Sequence, residues 1–235
     1  MTRTLLLFGA GPGIGDNVAA TFTSAGIEHV VLLGRNKERL QNEDAPFVSK
    51  AASNVKVDIL RADLSDLDSI PQVLKELDDL TKGEDVEVVY YNAARIKPTD
   101  PVLDVSVAEI EEDFRVQVLA LHLIAQHYIP RLQATAKSNA TSKPLLKPAL
   151  LVTNSHLPWD PVPQLLSLSL VKGAQRTQVL SLNRAFADTG VHCGLINVCG
   201  VVDPGNKVLS PKNIAREVVE FWKKGEGEEC GLKEE

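Results

Sequence analysis

The chain has 235 residues, of which 44% are hydrophobic and 24% charged, a composition typical of a globular protein and not of a disordered one. The formal net charge of −6 at pH 7 argues against nucleic acid as a main partner and gives no reason to expect binding to an anionic membrane surface. No apolar run approaches the ~20 residues that a membrane helix needs. Three cysteines without metal-binding spacing and the lack of a signal peptide predict a cytoplasmic protein with reduced thiols.

Predicted strands and helices alternate along the chain. The predicted strands cover residues 4–8, 29–33, 55–60, 86–91, 149–153 and 191–198, and residues 229–232 could add a short strand. The predicted helices cover residues 13–25, 36–50, 65–81, 106–132, 165–189 and 211–224. This alternation predicts one α/β domain over residues 1–235, a Rossmann-like doubly wound parallel sheet with helices on both faces. Ligands of such sheets bind at the carboxyl ends of the strands.

The polar stretch over residues 134–147 interrupts this alternation. We expect it to lie on the surface. It contains a glycosylation sequon, Asn139-Ala-Thr141, which we attribute to chance because no secretion signal accompanies it.

A glycine-rich turn, Gly9-Ala-Gly-Pro-Gly-Ile-Gly15, joins the first strand to the first helix. Gly9 can take a turn conformation that is closed to residues with a Cβ, and Gly15 lets the helix lie close to the sheet. Gly13 leaves room for a pyrophosphate, and the amides at the helix start favour a negatively charged group. The turn therefore predicts nucleotide binding, and the alternative is a turn that serves chain geometry alone.

The end of the second strand favours one dinucleotide over another. Gly34-Arg35-Asn36 carries no carboxylate, which would hydrogen-bond an adenosine ribose and repel a 2′-phosphate. Arg35 instead offers a guanidinium that suits a phosphate, which favours NADP(H) over NAD(H). Alternatively, Arg35 is a solvated residue that opens the next helix. After the third strand, Asp63 suits either a hydrogen bond from an adenine amino group or a turn or cap role.

Several motifs in this order resemble those of the short-chain dehydrogenase/reductase family, over about residues 4–224. The glycine turn is similar to that family's cofactor turn, and Asp63-Leu64 resembles its adenine-contacting motif. Asn92-Ala93-Ala94 is similar to its Asn-Ala-Gly motif, with Ala94 in place of Gly, and Cys199-Gly200 resembles its Pro-Gly after the sixth strand. The residues that match the family's cofactor contacts, together with the strand-two residues above, are Gly9, Gly11, Gly13, Ile14, Gly15, Arg35, Asn36, Asp63, Leu64, Asn92, Ala93, Lys172 and Gly200. The resemblance also implies a homodimer or homotetramer formed through the long helices.

The match is uneven at the catalytic positions. Ser155 and Lys172 match the family's serine and lysine, whereas Leu168 stands four residues before the lysine, where the family has its tyrosine. Gln117 stands where the family usually has an asparagine. The stretch 204–210, where the family usually builds a substrate lid, is short, so we expect an open site.

Loss of the tyrosine removes a general acid worth roughly a hundred- to ten-thousand-fold in rate. The proton could come from Ser155, from His156 or from a water held by Lys172, while Lys172 itself could hold the nicotinamide ribose. An iminium substrate would need no proton at the reacting atom. Each residue also has a structural interpretation: Ser155 could end a strand, His156 could point away, Lys172 could be solvated and Gln117 could satisfy backbone groups.

The sequence thus predicts an NADP(H)-dependent oxidoreductase that moves hydride to or from a C=O, C=N or activated C=C of a small organic molecule. The alternative is a protein of the same fold without redox turnover. Such a protein would act as a binding or regulatory protein, or as a cyclase or isomerase that keeps the cofactor as a scaffold.

Overall fold

The structure is a computed structural model that describes residues 2–138 and 145–233. In this part of the chain, seven strands form one parallel sheet in the order β3-β2-β1-β4-β5-β6-β7. The strands are β1 (Arg3–Phe8), β2 (His29–Gly34), β3 (Lys56–Arg61), β4 (Asp85–Tyr91), β5 (Ala149–Ser155), β6 (His192–Cys199) and β7 (Glu229–Lys233). The predicted fold class is confirmed, and the short strand suggested at residues 229–232 is present as β7.

Helices cover both faces of the sheet. They are α1 (Ile14–Ser24), α2 (Lys37–Arg39), α3 (Ala45–Ser49), α4 (Ile70–Leu80), α5 (Val107–Phe114), α6 (Ala120–Ser138), α7 (Leu166–Phe186) and α8 (Pro211–Lys224). Helices α1, α3 and α8 bury apolar side chains against one face, and α4, α6 and α7 against the other. Among the described helices, none is both long and apolar enough to span a lipid bilayer.

Strand β1 shows why the core has two halves. Leu5 and Leu7 contribute to the apolar cluster on one face of the sheet, and Leu6 and Phe8 to the cluster on the other. All four side chains are almost completely buried, because successive residues of a strand point to opposite faces and helices cover both. The continuous apolar run of β1 is therefore what a central strand of a parallel sheet requires.

The strand order reverses at β1. The chain runs from β1 to β2 and β3 on one side and then returns to β4 on the other. The connections after β1 and β4 consequently diverge and leave a crevice at the carboxyl ends of these strands, where open α/β sheets bind their ligands.

Two predicted helices are interrupted by π-turns. Residues Leu40–Asp44 form a π-turn between α2 and α3, and residues Arg115–Leu119 form one between α5 and α6. The first π-turn ends two residues before Pro46, which has no N–H and whose ring would clash with the carbonyl four residues earlier in a regular helix. Insertion of a residue into the turn lets the helical path continue past the proline.

Several predicted boundaries shift. Helix α6 continues to Ser138, so the beginning of the stretch 134–147 is helical and not a surface excursion, and Thr135 is buried against the carbonyl of Val86. Helix α4 begins at Ile70 and not at residue 65, since residues 65–69 form turns ahead of Pro71. The sequon at Asn139 lies outside the described residues.

A buried ion pair joins the beginning of β1 to β4. Glu87 is completely buried, and its carboxylate accepts hydrogen bonds from Arg3 Nε at 2.6 Å and Arg3 Nη2 at 3.0 Å. Its Oε1 also accepts the backbone amide of Lys147 at 2.6 Å. These donors satisfy both carboxylate oxygens, which a buried charge requires.

We expect Glu87→Ala to lower the free energy of unfolding by about 3–5 kcal/mol, because it leaves the Arg3 guanidinium and the Lys147 amide without their acceptor. Chemical denaturation at neutral pH measures this change. The matched control is Glu220→Ala, which removes an exposed ion pair with Lys223 and should leave the denaturation midpoint unchanged. Equal effects of the two substitutions would show that the buried pair contributes no more than a surface pair.

Candidate active site

A cavity of about 320 Å³ opens at the carboxyl ends of β1, β2, β3 and β4. Seven residues that the sequence predicted as cofactor contacts line it: Gly9, Arg35, Asn36, Asp63, Leu64, Asn92 and Ala93. Gly11, Gly13, Ile14, Gly15, Lys172, Gly200 and the catalytic candidates Ser155, His156 and Gln117 are not among its lining residues. The cavity therefore brings together seven of the residues predicted to contact the cofactor, and the predicted catalytic residues are not among those that line it.

The glycines of the turn differ in what a side chain at each position would meet. Gly9 has φ +90°, and a Cβ on it would lie 2.5 Å from the amide nitrogen of Ala93. A Cβ on Gly15 would lie 2.9 Å from the carbonyl oxygen of Gly9. A Cβ on Gly13 would meet no described atom within 4 Å. Gly9 and Gly15 thus permit close backbone approach, while Gly13 faces open space.

Helix α1 begins beside this open space. Gly13 is its N-cap residue, and no side chain caps the start of the helix among the described residues. The amides of a helix start carry partial positive charge and have no intrahelical acceptor. This end of α1 therefore has the geometry and polarity to hold a phosphate, as the sequence predicted for the turn.

A buried carboxyl pair lies behind the turn, and the sequence analysis missed it. Asp16 Oδ1 accepts the amide of Gly11 at 2.9 Å. Burial, followed by the neighbouring Asp44, raises the pKa of Asp16 to about 7. A proton on Asp16 supplies a donor to the neighbouring Asp44 carboxylate, whose buried Oδ1 has no hydrogen-bond partner among the described residues. The acidic residue directly after Gly15 was the available signal.

Arg39 completes this cluster and was also missed. Its Nη2 donates to the carbonyl of Ala10 at 2.7 Å, and its Nε donates to Asp44 Oδ2 at 3.1 Å. The guanidinium thereby lies across the glycine turn, and it lines the cavity. The sequence pattern gave no reason to separate Arg39 from the other charged residues of a helix.

The predicted residues at the ends of β2 and β3 differ in how they are held. Arg35 is exposed and forms no hydrogen bond or salt bridge with the described residues. Asn36 caps α2, accepting the amide of Arg39 at 3.0 Å. Asp63 Oδ1 accepts the hydroxyl of Ser65 at 2.7 Å and its amide at 3.1 Å, and the hydroxyl contact is the main cause that holds the pKa of Asp63 below its usual range. The turn role of Asp63 is therefore present, and its contact with adenine stays a prediction.

Asn92 links three strands beneath the cavity. Its Nδ2 donates to the carbonyl of Gly9 at 3.0 Å, and its Oδ1 accepts the hydroxyl of Thr153 at 2.8 Å. The Tyr90 hydroxyl lies 2.8 Å from the same Thr153 oxygen. The side chain of Asn92 thus fixes the glycine turn of β1 against the ends of β4 and β5.

Lys172 is buried, and its ammonium lies near no described carboxylate. Its Nζ donates to the carbonyl of Thr153 and to Gln175 Oε1, both at 2.9 Å. Burial lowers the pKa of Lys172 to about 7, so the charged and neutral forms are both populated at neutral pH. The interpretation of Lys172 as a solvated helix residue is therefore wrong.

Gln175 connects Lys172 to the second π-turn. Its Nε2 donates to the carbonyl of Gln117 at 2.8 Å, while its Oε1 accepts from Lys172. Gln117 is fully buried, and both polar atoms of its side chain have no hydrogen-bond partner among the described residues. Gln117 thus contributes its backbone carbonyl to this network. Gln175, which the sequence analysis missed, joins this carbonyl to Lys172.

The other two catalytic candidates lie at the end of β5. Ser155 is half-buried, and its Oγ accepts the amide of Leu157 at 3.3 Å. His156 is also half-buried, and its Nδ1 is a buried atom with no hydrogen-bond partner among the described residues. No hydrogen bond joins either residue to Lys172 in the described part of the chain.

Leu168 lies in an apolar cluster one turn before Lys172 on α7. It is buried and packs with Leu157 and Val171. Phe114 and Val118 pack against the same cluster from α5 and the π-turn. Leu168 itself donates no proton, and neither do the apolar side chains that pack with it.

Two residues border the site at its edges. Gly200, after β6, has φ +150°, and a Cβ on it would lie 2.7 Å from Leu209 Cδ1, which explains a glycine here. Arg95 lines the cavity, and its guanidinium is held by Asp113 Oδ1 at 2.8 Å and by the carbonyl of Glu109 at 3.0 Å.

Comparison with known proteins identifies relatives of the whole chain. The model of the short chain dehydrogenase family matches residues 3–142. An uncharacterised oxidoreductase of Staphylococcus aureus (strain USA300) is 25% identical over 226 residues, which cover 92% of this chain and 89% of that protein.

Solved structures share the fold at lower identity. An alcohol dehydrogenase of Thermococcus sibiricus complexed with 5-hydroxy-NADP has a TM-score of 0.81 at 21% identity, with 99% of this chain and 96% of that chain covered. A short-chain dehydrogenase of Sphingobium yanoikuyae in complex with NADPH has a TM-score of 0.79 at 18% identity, with 97% and 87% covered.

The raised pKa of Asp16 predicts a pH dependence of stability. Between pH 4 and 7 the folded state binds more protons at Asp16 than the unfolded state, so the free energy of unfolding contributed by this group falls as pH rises through that range. We expect Asp16→Asn, which keeps an acceptor for Gly11 and gains a donor for Asp44, to be more stable than the unchanged protein at pH 8 and equally stable at pH 4. Denaturant titrations at both pH values measure this, and a variant weakened at pH 8 would contradict it.

Gln175→Glu should raise the pKa of Lys172 by about 1–3 units, because it places a carboxylate where an amide oxygen now accepts from Nζ. NMR of protein labelled with ¹³C at lysine Cε follows the titration, and the signal lost in Lys172→Met assigns the resonance. Thr177→Glu, at an exposed position of α7, is the control and should leave the titration near pH 7. A Lys172 signal that titrates with the surface lysines would refute the burial argument.

Proposed function

The chain belongs to the short chain dehydrogenase family, and we propose that it is an NADP(H)-dependent oxidoreductase acting on a small organic molecule. The reaction would move hydride to or from a C=O, C=N or activated C=C. The observation that carries the proposal is the glycine turn beside the uncapped start of α1. The open space at Gly13 fits the pyrophosphate of a dinucleotide, as do the amides of Ile14 and Gly15, which donate to no described residue, whereas the Asp16 amide donates to the Gly11 carbonyl.

The preference for NADP(H) rests on the charges at the cavity. Arg35 stands directly after β2, and no carboxylate is present at that strand end to hydrogen-bond an unmodified ribose. The relatives from Thermococcus sibiricus and Sphingobium yanoikuyae were solved with 5-hydroxy-NADP and NADPH, which supports the same cofactor class here.

In this proposal the residues near β5 and α7 hold the nicotinamide end and the substrate. The reduced nicotinamide supplies the hydride when it is bound. Lys172, in its buried position, would donate to the ribose, and its partners Thr153 and Gln175 keep its Nζ oriented. Ser155 carries a hydroxyl whose hydrogen is free to donate to a substrate oxygen, because the one hydrogen bond described for Oγ is accepted.

Leu168 cannot protonate a substrate, which favours substrates that need little acid assistance. A ketone gains negative charge on oxygen as hydride arrives and needs a proton or a strong donor there. An iminium already carries positive charge and becomes neutral in the same step. We therefore infer that iminium ions are reduced faster than unactivated ketones.

A second candidate function rests on the same cluster. If no group donates a proton to the substrate, the protein could bind the dinucleotide without turning it over, as a regulatory or binding protein or as a non-redox cyclase or isomerase. Turnover of bound NADPH with any of the three bond types would exclude it.

Titration of the purified protein with NADPH and NADH, followed by nicotinamide fluorescence, tests the cofactor assignment. We expect NADPH to bind more tightly, and Arg35→Ala to weaken NADPH about tenfold while leaving NADH nearly unchanged, since a hydrogen bond to a charged group contributes about 1.5–3 kcal/mol. Failure of both dinucleotides to bind at millimolar concentration would overturn the proposed function.

Turnover is then measured with a matched ketone, iminium and conjugated enone by the loss of NADPH absorbance. The control variant is Leu168→Tyr, which places a hydroxyl four residues before Lys172 and should raise ketone reduction more than iminium reduction. Ketone reduction by the unchanged protein at the iminium rate would contradict the substrate inference.

A further inference from the structure

Asp16 closes the glycine turn from behind. Its amide donates to the Gly11 carbonyl at 3.0 Å, and its Oδ1 accepts the Gly11 amide at 2.9 Å. These two hydrogen bonds join the ends of the segment 11–16, which includes the amides of Ile14 and Gly15 that donate to no described residue. The direction of these two amides therefore depends on the side chain of the residue that follows them.

The Asp16 carboxyl group shares its buried site with a second one. Asp16 is 2% exposed and Asp44 is 1% exposed, and the two side chains hydrogen-bond each other. The Arg39 guanidinium donates from Nε to Asp44 Oδ2 at 3.1 Å and from Nη2 to the Ala10 carbonyl at 2.7 Å, and neither bond reaches Asp16. Two buried carboxyl groups thus face one guanidinium. Such a pair retains a proton, because two ionised carboxylates in contact repel each other.

The other elements that pack against α1 meet it with apolar side chains. These are Leu5 and Leu7 of β1, Val30 of β2, Val48 of α3, and Ile214 and Val218 of α8. The charged groups that act most strongly on Asp16 are accordingly Asp44, which disfavours its ionisation, and Arg39, which favours it. Because Arg39 hydrogen-bonds Asp44 directly, the proton of the pair resides on Asp16.

A charge on Asp16 would act on the place where the proposed function puts an anion. Asp16 directly follows Ile14 and Gly15, whose amides fit a pyrophosphate. The ionised carboxyl group repels a bound pyrophosphate from behind the turn and also repels Asp44, and both repulsions are strong because Asp16 is buried. A proton on Asp16 removes both.

We propose, on the basis of the function proposed above, that Asp16 is a positioning residue of the cofactor site and that its protonation makes dinucleotide binding dependent on pH. The neutral carboxyl group accepts the Gly11 amide and donates to Asp44, which holds the turn in the conformation that receives the pyrophosphate. The ionised group weakens binding. Binding of the anion therefore favours the neutral form, and the protein takes up a proton when the ligand binds.

The pKa of Asp16 sets the pH range of this effect. Burial, followed by Asp44, raises this pKa to about 7, and a bound pyrophosphate raises it further. The ligand is consequently bound most tightly below pH 7. Its affinity falls as the pH rises above 7, until Asp16 is ionised in the complex as well.

Calorimetric titration with the β-methyl ester of adenosine 5′-diphosphate tests this coupling. Its esterified phosphates do not titrate between pH 6 and 9, and it lacks the nicotinamide ribose that Lys172 would contact. We expect its Kd to rise about three- to tenfold between pH 6 and pH 8.5, and Asp16→Asn to abolish this rise. The matched control is Glu38→Gln, which removes an exposed carboxylate directly before Arg39 and should keep the rise.

Asp44→Asn is a second variant, which keeps the inference testable if melting curves show that Asp16→Asn does not fold. It removes the carboxylate that opposes ionisation of Asp16 and leaves Arg39 to favour it, so the rise in Kd should move to lower pH by about one unit.

Three outcomes would overturn the role of Asp16: a Kd of the unchanged protein that does not depend on pH, a rise that persists in Asp16→Asn, or a rise that stays at the same pH in Asp44→Asn. NADPH binding, measured alongside, would leave the proposed function intact in each case. Binding of neither NADPH nor the ester at any pH would overturn both.

Discussion

The close approach of β1 to the end of β4 is the constraint on which the site depends. Gly9 lies so near Ala93 that a Cβ on it would be 2.5 Å from the Ala93 amide nitrogen, and Asn92 donates to the Gly9 carbonyl across this contact. A larger residue at position 9 would push the turn away from β4. The start of α1 and the floor of the cavity would then separate, so this backbone contact determines whether one ligand can reach both.

Two π-turns then adapt ordinary helices to the site. The first aligns Asp44 with Arg39 beside the glycine turn, and the second lies where the Gln117 carbonyl accepts Gln175. The first contact lies within one helical segment and the second joins the π-turn to α7, and π-turns tend to occur at functional sites. The fold supplies the positions, and these local irregularities supply the orientation of individual side chains.

Much of the fold was predictable from the sequence, because apolar periodicity and glycine placement report burial and turn geometry directly. The cavity residues followed from strand ends, since parallel strands deliver their carboxyl ends to one edge. Asp16, Arg39 and Gln175 were not predictable, because their roles depend on contacts between elements far apart in the chain or on a π-turn with no periodic signal. Asp63 shows the intermediate case, in which its turn role was one of two predicted alternatives.

The environment of Lys172 indicates whether this residue serves the stability of the fold or its function. A buried ammonium without a carboxylate costs free energy, and burial lowers the pKa of Lys172 to about 7. Gln175 hydrogen-bonds Lys172 without neutralising it, so this arrangement does not maximise stability. A lysine in this state can donate to a ribose hydroxyl or orient a water, and it can change protonation near neutral pH. Lys172 lies one turn from Leu168. The free energy that its burial costs is understandable if Lys172 contributes to binding or chemistry that the apolar cluster around Leu168 cannot provide.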